Sequence, residues 1–201
     1  TENMLAEYNA GFKQDMRRFL KSDEGMISGA EFHVRRNTGS FGTINYMANQ
    51  DGFTLYDTVA YNYRHNEANG EDNRDGSEFN YSWNCGIEGA TRKQAIRKMR
   101  EQQMRNAFLM LLLSQGTPMI YGGDEFANSQ AGNNNAWCQD NAVGWTDWKN
   151  AKKQENLSTF VKEAIAFRKK HPILHMPQEM RGVDYMAKGF PDISVHGERA
   201  W

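Results

Sequence analysis

Apolar positions along this chain recur at two spacings, and the switches between them mark the elements. Phe12, Met16, Phe19 and Leu20 return every three or four residues behind Asn9, a good N-cap, and predict a helix over Ala10–Lys21. Met4 to Tyr8 before it reads as a short strand. From Ser22 to Gly42 the pattern is broken by Gly25, Gly29, Gly39 and Gly42, with room for one short helix near Ala30. Thr43 to Met47 is β-branched and apolar enough for a buried strand, and it stops at Asn49, Gln50 and Asp51. The polar stretch from Gly52 to Gly89 has one helical turn predicted near Leu55 to Tyr61. Loops of this length inside compact domains are uncommon and usually functional.

Thr91-Arg-Lys-Gln94 matches a capping box. Ala95, Ile96, Met99, Ala107, Phe108, Leu111 and Leu112 follow at helical spacing to about Gln115, with Gly116 expected at C′. Met119 to Tyr121 reads as another strand, then a polar loop from Phe126 to Trp148. Leu157, Phe160, Val161, Ala164, Ile165 and Phe167 predict a last helix that stops at His171-Pro172. The tail from Ile173 is irregular. Strands alternating with helices predict an α/β fold, a parallel sheet with helices outside it. There is no internal repeat, no low-complexity tract and no sign of a second domain within residues 1–201.

Composition excludes several classes. A formal net charge of -1 argues against a polycationic nucleic-acid surface. The basic residues Arg92, Lys93, Arg97, Lys98, Arg100 and Arg105 read as the solvated face of the long helix. No apolar run approaches the ~18 residues of a membrane span. The first residues have neither a basic n-region nor an apolar h-region, which makes a cytoplasmic location the expectation. The chain starts on Thr1 without an initiator Met, as a piece of something longer would. Cys85 and Cys138 form no disulfide framework and read as free thiols.

The candidate chemistry lies in the loops. Asp51, just past a buried strand, sits where parallel barrels carry catalytic groups, or alternatively caps the turn after it. Asp124 and Glu125 also follow a strand, and after Gly122-Gly123 they read as bonding the amides of the next loop. Glu71-Asp-Asn-Arg-Asp-Gly76 has part of a calcium-loop spacing, but the twelfth position is Ser82 rather than Glu, and His65 has no second His at zinc spacing. No metal or other cofactor is expected. Neither a phosphate-binding glycine signature nor a G-x-S-x-G elbow is present. Five Trp and eight Tyr, several among loop Asn, Asp and Gln, suit sugar binding, or else pin the loops to the body.

Five blocks resemble the glycogen-debranching and isoamylase group of the α-amylase family. They are Asp51-Gly-Phe-Thr-Leu with His65-Asn-Glu-Ala-Asn-Gly-Glu-Asp-Asn-Arg-Asp-Gly76, Asn80-Tyr-Ser-Trp-Asn-Cys-Gly86, Gly116-Thr-Pro-Met-Ile-Tyr-Gly-Gly-Asp-Glu-Phe126, Gly132-Asn-Asn-Asn-Ala-Trp-Cys-Gln-Asp-Asn141 and Pro191-Asp-Ile-Ser-Val-His-Gly197. The resemblance implies a (β/α)8 TIM barrel. In block order, Met4 to Tyr8, Thr43 to Met47 and Pro118 to Gly122 would be its strands six to eight, so the chain would be a partial barrel, the last three βα units. It implies retaining hydrolysis of α-glucosidic bonds, with Asp51 as the carboxylate that orients sugar hydroxyls and stabilises the oxocarbenium-like transition state. The nucleophile and acid/base of that family lie on strands four and five, outside these three units. Gln50 stands where the family usually has His.

On this resemblance the partner is an α-glucan such as glycogen, amylopectin or limit dextrin. The loops at Tyr61 to Asp75 and Asn133 to Asp140 would form the cleft, with Gln50, Tyr61, His65, Asn66, Asn134 and Trp137 as substrate contacts. A glucan-binding module without turnover is the alternative, which Gln50 favours. Three units alone would leave strand edges open, so self-association is expected of the isolated chain.

Overall fold

The computed structural model describes residues 5–38 and 41–197. Its sheet has three strands, β1 (Ala6–Tyr8), β2 (Gly42–Tyr46) and β3 (Thr117–Met119), in the order β1-β2-β3 and parallel throughout. Tyr8 is in register with Ile44 and Tyr46 with Met119, so all three strands end at one edge of the sheet, and the segments that follow them emerge together. Parallel neighbours require crossovers, and both are helical. Helices α1 (Ala10–Leu20) and α2 (Ile27–Arg35) join β1 to β2; α3 (Leu55–Thr58) and α4 (Gln94–Leu113) join β2 to β3. After β3 come α5 (Trp148–Lys153) and α6 (Glu155–Lys170).

Asn9 ends β1 and starts α1. Its Oδ1 accepts from the Phe12 amide at 3.0 Å, and its Nδ2 donates to Asn45 of β2 at 2.8 Å. Asn45 in turn donates to the Gln115 carbonyl at 2.7 Å, so one chain of amides ties the start of α1 through β2 to the approach to β3. Below it, Phe12, Met16 and Leu20 bury one stripe of α1 against Met104, Phe108 and Leu111 of α4, which also packs on Leu157 and Val161 of α6. Each such side chain contributes roughly 1.5–3 kcal/mol on full burial.

The strands are shorter or shifted relative to their sequence pattern. Met4 lies outside the described residues. β2 begins at Gly42 and stops at Tyr46, although Met47 and Ala48 stay buried. β3 begins at Thr117 and ends at Met119, so Ile120 and Tyr121 lie beyond it.

Four helical expectations are corrected. Phe19, read into the core, is 37% exposed, because α1 turns only its Phe12–Met16–Leu20 stripe inward. The capping box does not form: Thr91 Oγ1 accepts from the Lys93 amide at 3.2 Å in a local turn, and α4 begins at Gln94. Gly116 adopts φ +81° two residues past the C-cap Ser114, one position later than expected. Arg100, read as part of the solvated face, is only 1% exposed, because its guanidinium caps four carbonyls.

Candidate functional site

The loops leaving the sheet edge are held by buried polar side chains. Arg17 of α1 donates Nε to the Met47 carbonyl at 2.7 Å, Nη1 to Asn80 at 3.0 Å and Nη2 to Phe53 at 3.0 Å. One guanidinium thus fixes the end of β2, the turn after it and the distant 78–84 stretch. Burial lowers its pKa to about 10, opposed by the charges of Asp124 and Tyr46. Between Met47 and Phe53 the chain projects outward: Asn49 is buried, and Gln50 and Asp51 are exposed. The Gly52 amide, at φ +111°, donates to the Asn134 carbonyl at 3.1 Å, setting Asp51 beside the second predicted cleft loop.

Asn66 and Asn134 join those two loops. Asn66 Nδ2 donates to Asn134 Oδ1 at 2.8 Å, and the Asn134 amide donates back to Asn66 Oδ1 at 3.0 Å. Asn134 Nδ2 also donates to Asn80 Oδ1 and to the Ser77 carbonyl, both at 2.8 Å. Both side chains are buried and fully engaged. Asp75, the last acid of the calcium-like run, accepts from Asn69 at 2.7 Å and from Asn135 at 2.8 Å, bonds that hold its pKa below the usual carboxylate range. Among the described residues no three His, Cys, Asp or Glu side chains group as a metal site.

Tyr61 and His65 pack edge to face at 5.3 Å around Gly132. Burial pushes the Tyr61 hydroxyl up to about 12. His65 Nε2 lies 3.1 Å from Glu88. Burial would raise the Glu88 pKa, but bonds from Asn62, Asn84, Tyr63 and His65 outweigh it and the net shift is downward. Trp137 stands apart at 84% exposure, without an aromatic or hydrogen-bonding side-chain partner among the described residues.

Two carboxylates are buried in a reciprocal arrangement. Asp57, on α3, accepts from Ser129 Oγ at 2.5 Å and from the Gln130 amide at 2.8 Å; Asp124, after β3, accepts from the Leu55 amide at 2.9 Å. Each loop therefore lends an acid to the other. Asp124 bonds the preceding loop, not the following one as its sequence suggested, because Leu55 is the first residue of α3 and its amide has no partner within the helix. Burial raises Asp57 to about 6 and Asp124 to about 7; hydrogen bonds oppose the shift in both, and Arg17 also opposes it in Asp124. Sequence reading missed Arg17, Asp57 and Arg100, since only a partner distant in sequence makes a buried ion acceptable.

A groove of about 570 Å³ runs between the start of α4 and the loop after β3, lined by Tyr56, Tyr61, Gln94, Arg97, Ser129 and Gln154 among others. Tyr61 is the one predicted contact in it. Asp51 is exposed and does not line this groove. The structure thus brings Asp51, Asn66 and Asn134 to neighbouring loops and pairs Tyr61 with His65, while Trp137 projects into solvent.

A small parallel sheet with helical crossovers and polar loops at its C-terminal edge defines an α/β fold similar to pullulanases. The pullulanase from Anoxybacillus sp. LM18-11 complexed with maltotetraose matches with a TM-score of 0.61 at 21% identity, over 85% of this chain and 23% of that one. The pullulanase from Bacillus acidopullulyticus matches with a TM-score of 0.60 at 20% identity, over 85% and 19%. Sequence relatives are nearer. The glycogen operon protein GlgX homolog of Mycobacterium tuberculosis (strain ATCC 25618 / H37Rv) is 41% identical over 190 residues, 89% of this chain and 26% of its own length. The glycogen debranching enzyme of Dickeya chrysanthemi is 41% identical over 188 residues, 90% and 28%, and the chloroplastic isoamylase 3 of Oryza sativa subsp. japonica is 39% identical over 178 residues, 84% and 23%. No protein-family model matches. The chain spans about a quarter of the length of these curated relatives. Over that span it is a homologue of the glycogen-debranching and isoamylase group, as its motifs implied.

Proposed function

We propose that this chain is the last three βα units, strands six to eight, of a (β/α)8 barrel in a glycoside hydrolase that cleaves α-1,6-glucosidic branch linkages with retention. The observation that carries the reading is Asp51, at the C-terminal end of the central parallel strand and beside the Asn134 loop, in a chain 41% identical to a glycogen debranching enzyme. In a parallel barrel that end of the strands is the catalytic face.

Asp51 would bond the hydroxyls of the sugar at the cleavage point. As the ring flattens and positive charge develops at the anomeric carbon, a fixed carboxylate gains interaction that the ground state lacks, which is what lowers a barrier. The covalent step needs a nucleophilic carboxylate and a second carboxyl as acid/base. These would come from strands four and five of the whole protein, so the isolated chain hydrolyses nothing.

Two side chains proposed from sequence as sugar contacts, Asn66 and Asn134, would act by fixing the cleft loops, since their amides are engaged within the protein. Gln50, Tyr61, His65 and Trp137 keep surface for a glucan. The open strand edges at β1 and β3 support self-association of the isolated chain.

The test is release of reducing ends from pullulan and glycogen by the full-length protein. Turnover that falls by about a thousandfold or more on Asp51→Asn supports the reading, the scale expected for a group acting in the transition state. Turnover unchanged by Asp51→Asn overturns it. Retention of glucan without turnover would favour the second reading, a binding module, to which the uncharged Gln50 points.

A further inference from the structure

Lys13 occupies the first turn of α1, on the helix that follows β1, and reaches across to the exit of β2. Its Nζ lies 3.3 Å from Asn49 Oδ1 and 3.3 Å from the Asp51 carbonyl oxygen. These two acceptors flank Gln50. The ammonium also sits 5.5 Å from the centre of the Tyr46 ring, the last residue of β2. One cation therefore holds the strand end, the residue before Gln50 and the backbone of Asp51.

We propose that Lys13 is a positioning residue for the reaction, one that fixes the Asn49–Gln50–Asp51 segment so that the exposed Asp51 carboxylate keeps a single approach to the sugar. The proposal rests on the debranching reading above. The physical case is that this segment is otherwise weakly restrained. Among the described residues Gln50 and Asp51 make no side-chain hydrogen bond, and the next backbone anchor is the Gly52 amide on Asn134. Arg17 holds the Met47 and Phe53 carbonyls at the two ends of the segment, but between them an exposed carboxylate without a partner would swing, and misplacement by about 1 Å can cost about a hundredfold in rate. Charge-assisted bonds from an ammonium to two acceptors on either side of one residue remove that freedom.

Three charged or titratable groups face Lys13: Arg17 one turn on along α1, the Asp51 carboxylate, and Tyr46 of β2, which itself packs on Tyr8 of β1. Burial and Arg17 favour the neutral amine, and Asp51 opposes them, so the lysine discharges at lower pH than a free one. Arg at this position would stay charged.

The experiment compares wild type, Lys13→Met and Lys13→Arg in the full-length protein on pullulan, with kcat, KM, the pH profile of kcat and thermal unfolding. The expected result for Lys13→Met is a kcat lower by about tenfold or more with KM within about twofold, the pattern of an interaction realised in the transition state. Lys13→Arg is expected to recover most of kcat and to move the alkaline limb of the profile to higher pH. Lys13→Met with wild-type kcat overturns the proposal, as does an alkaline limb that Lys13→Arg leaves in place. A loss of kcat that tracks only a lowered unfolding midpoint, unrescued by Arg, assigns Lys13 to stability and overturns it as well. Wild-type protein without turnover overturns the debranching reading and the role of Lys13 together; turnover indifferent to Lys13 overturns that role alone.

Discussion

Asn66 and Asn134 exchange two hydrogen bonds across 68 residues of chain, one side chain to side chain at 2.8 Å and one from backbone to side chain at 3.0 Å. The pair is the hinge pin between the loop after β2 and the loop after β3. Asn66 also donates to the Asp75 carbonyl at 2.9 Å, and its own amide donates to Asn73 at 2.8 Å. Replacing either side chain leaves buried partners unsatisfied. Asn66→Ala and Asn134→Ala should each cost about 1–3 kcal/mol of stability in urea unfolding of the intact protein. The double variant should cost less than the sum of the singles, because the two share one network. Strictly additive losses would mean that the pair is not coupled.

Arg168 makes a similar statement about α6. Its guanidinium donates to the carbonyls of Leu112 at 2.7 Å, Ser114 at 2.6 Å and Gly116 at 2.6 Å, the end of α4 and the approach to β3. Arg168→Met keeps the stem and removes the donors. It should destabilise the fold by about 3 kcal/mol, the scale of lost charge-assisted bonds to buried acceptors. A wild-type unfolding midpoint for this variant would show those carbonyls finding water instead.

The buried carboxylates set a pH dependence. Asp57 and Asp124 have folded pKa values of about 6 and about 7, raised by burial from 3.8, so the folded state holds these protons more tightly than the unfolded chain. Their contribution to stability is fully present below about pH 4 and is lost as pH rises through 6 and 7. Asp124→Asn keeps an acceptor for the Leu55 amide and removes the ionisation. It should flatten the decline in stability between about pH 4 and 8, read from denaturant midpoints. Parallel wild-type and Asp124→Asn curves over that range would refute the assignment.

Gly132, in the loop after β3, is closely covered by side chains. It adopts φ +78°, and a Cβ there would lie 2.6 Å from Tyr61 Cδ1 and 2.8 Å from His65 Cδ2. Gly132→Ala combines left-handed strain of about 1–3 kcal/mol with a clash that pushes both rings outward. Faster hydrogen exchange at the His65 amide, which donates to the Gly132 carbonyl at 2.7 Å, is the expected signature. Unchanged exchange there would show the loop absorbing the methyl group.

Much of the fold was legible because it follows from short-range pattern. Asn9 capped the helix it was expected to cap, α1 and α6 ended within a residue of their predicted bounds, and the alternation of elements gave the parallel sheet. That Asp51 lies in the segment leaving β2 was legible for the same reason. The capping box at Thr91 was misread, because a four-residue pattern is satisfied as well by a local turn as by a helix start.

By itself, then, the sequence determined the order of the strands and the main helices, though not the short α5, and it determined the α/β class and the resemblance to debranching enzymes. Only the tertiary structure decided which polar residues face inward. Arg100 lies in a run of surface-like cations and Asp57 in a four-residue helix, and nothing within a few residues of either marks it as buried. A buried charge is stable only where carbonyls or amides converge on it. For Arg100 those carbonyls belong to Ala60, Asn84, Ile87 and Gly89, and for Asp57 the donors come from Ser129 and Gln130; folding alone brings them together.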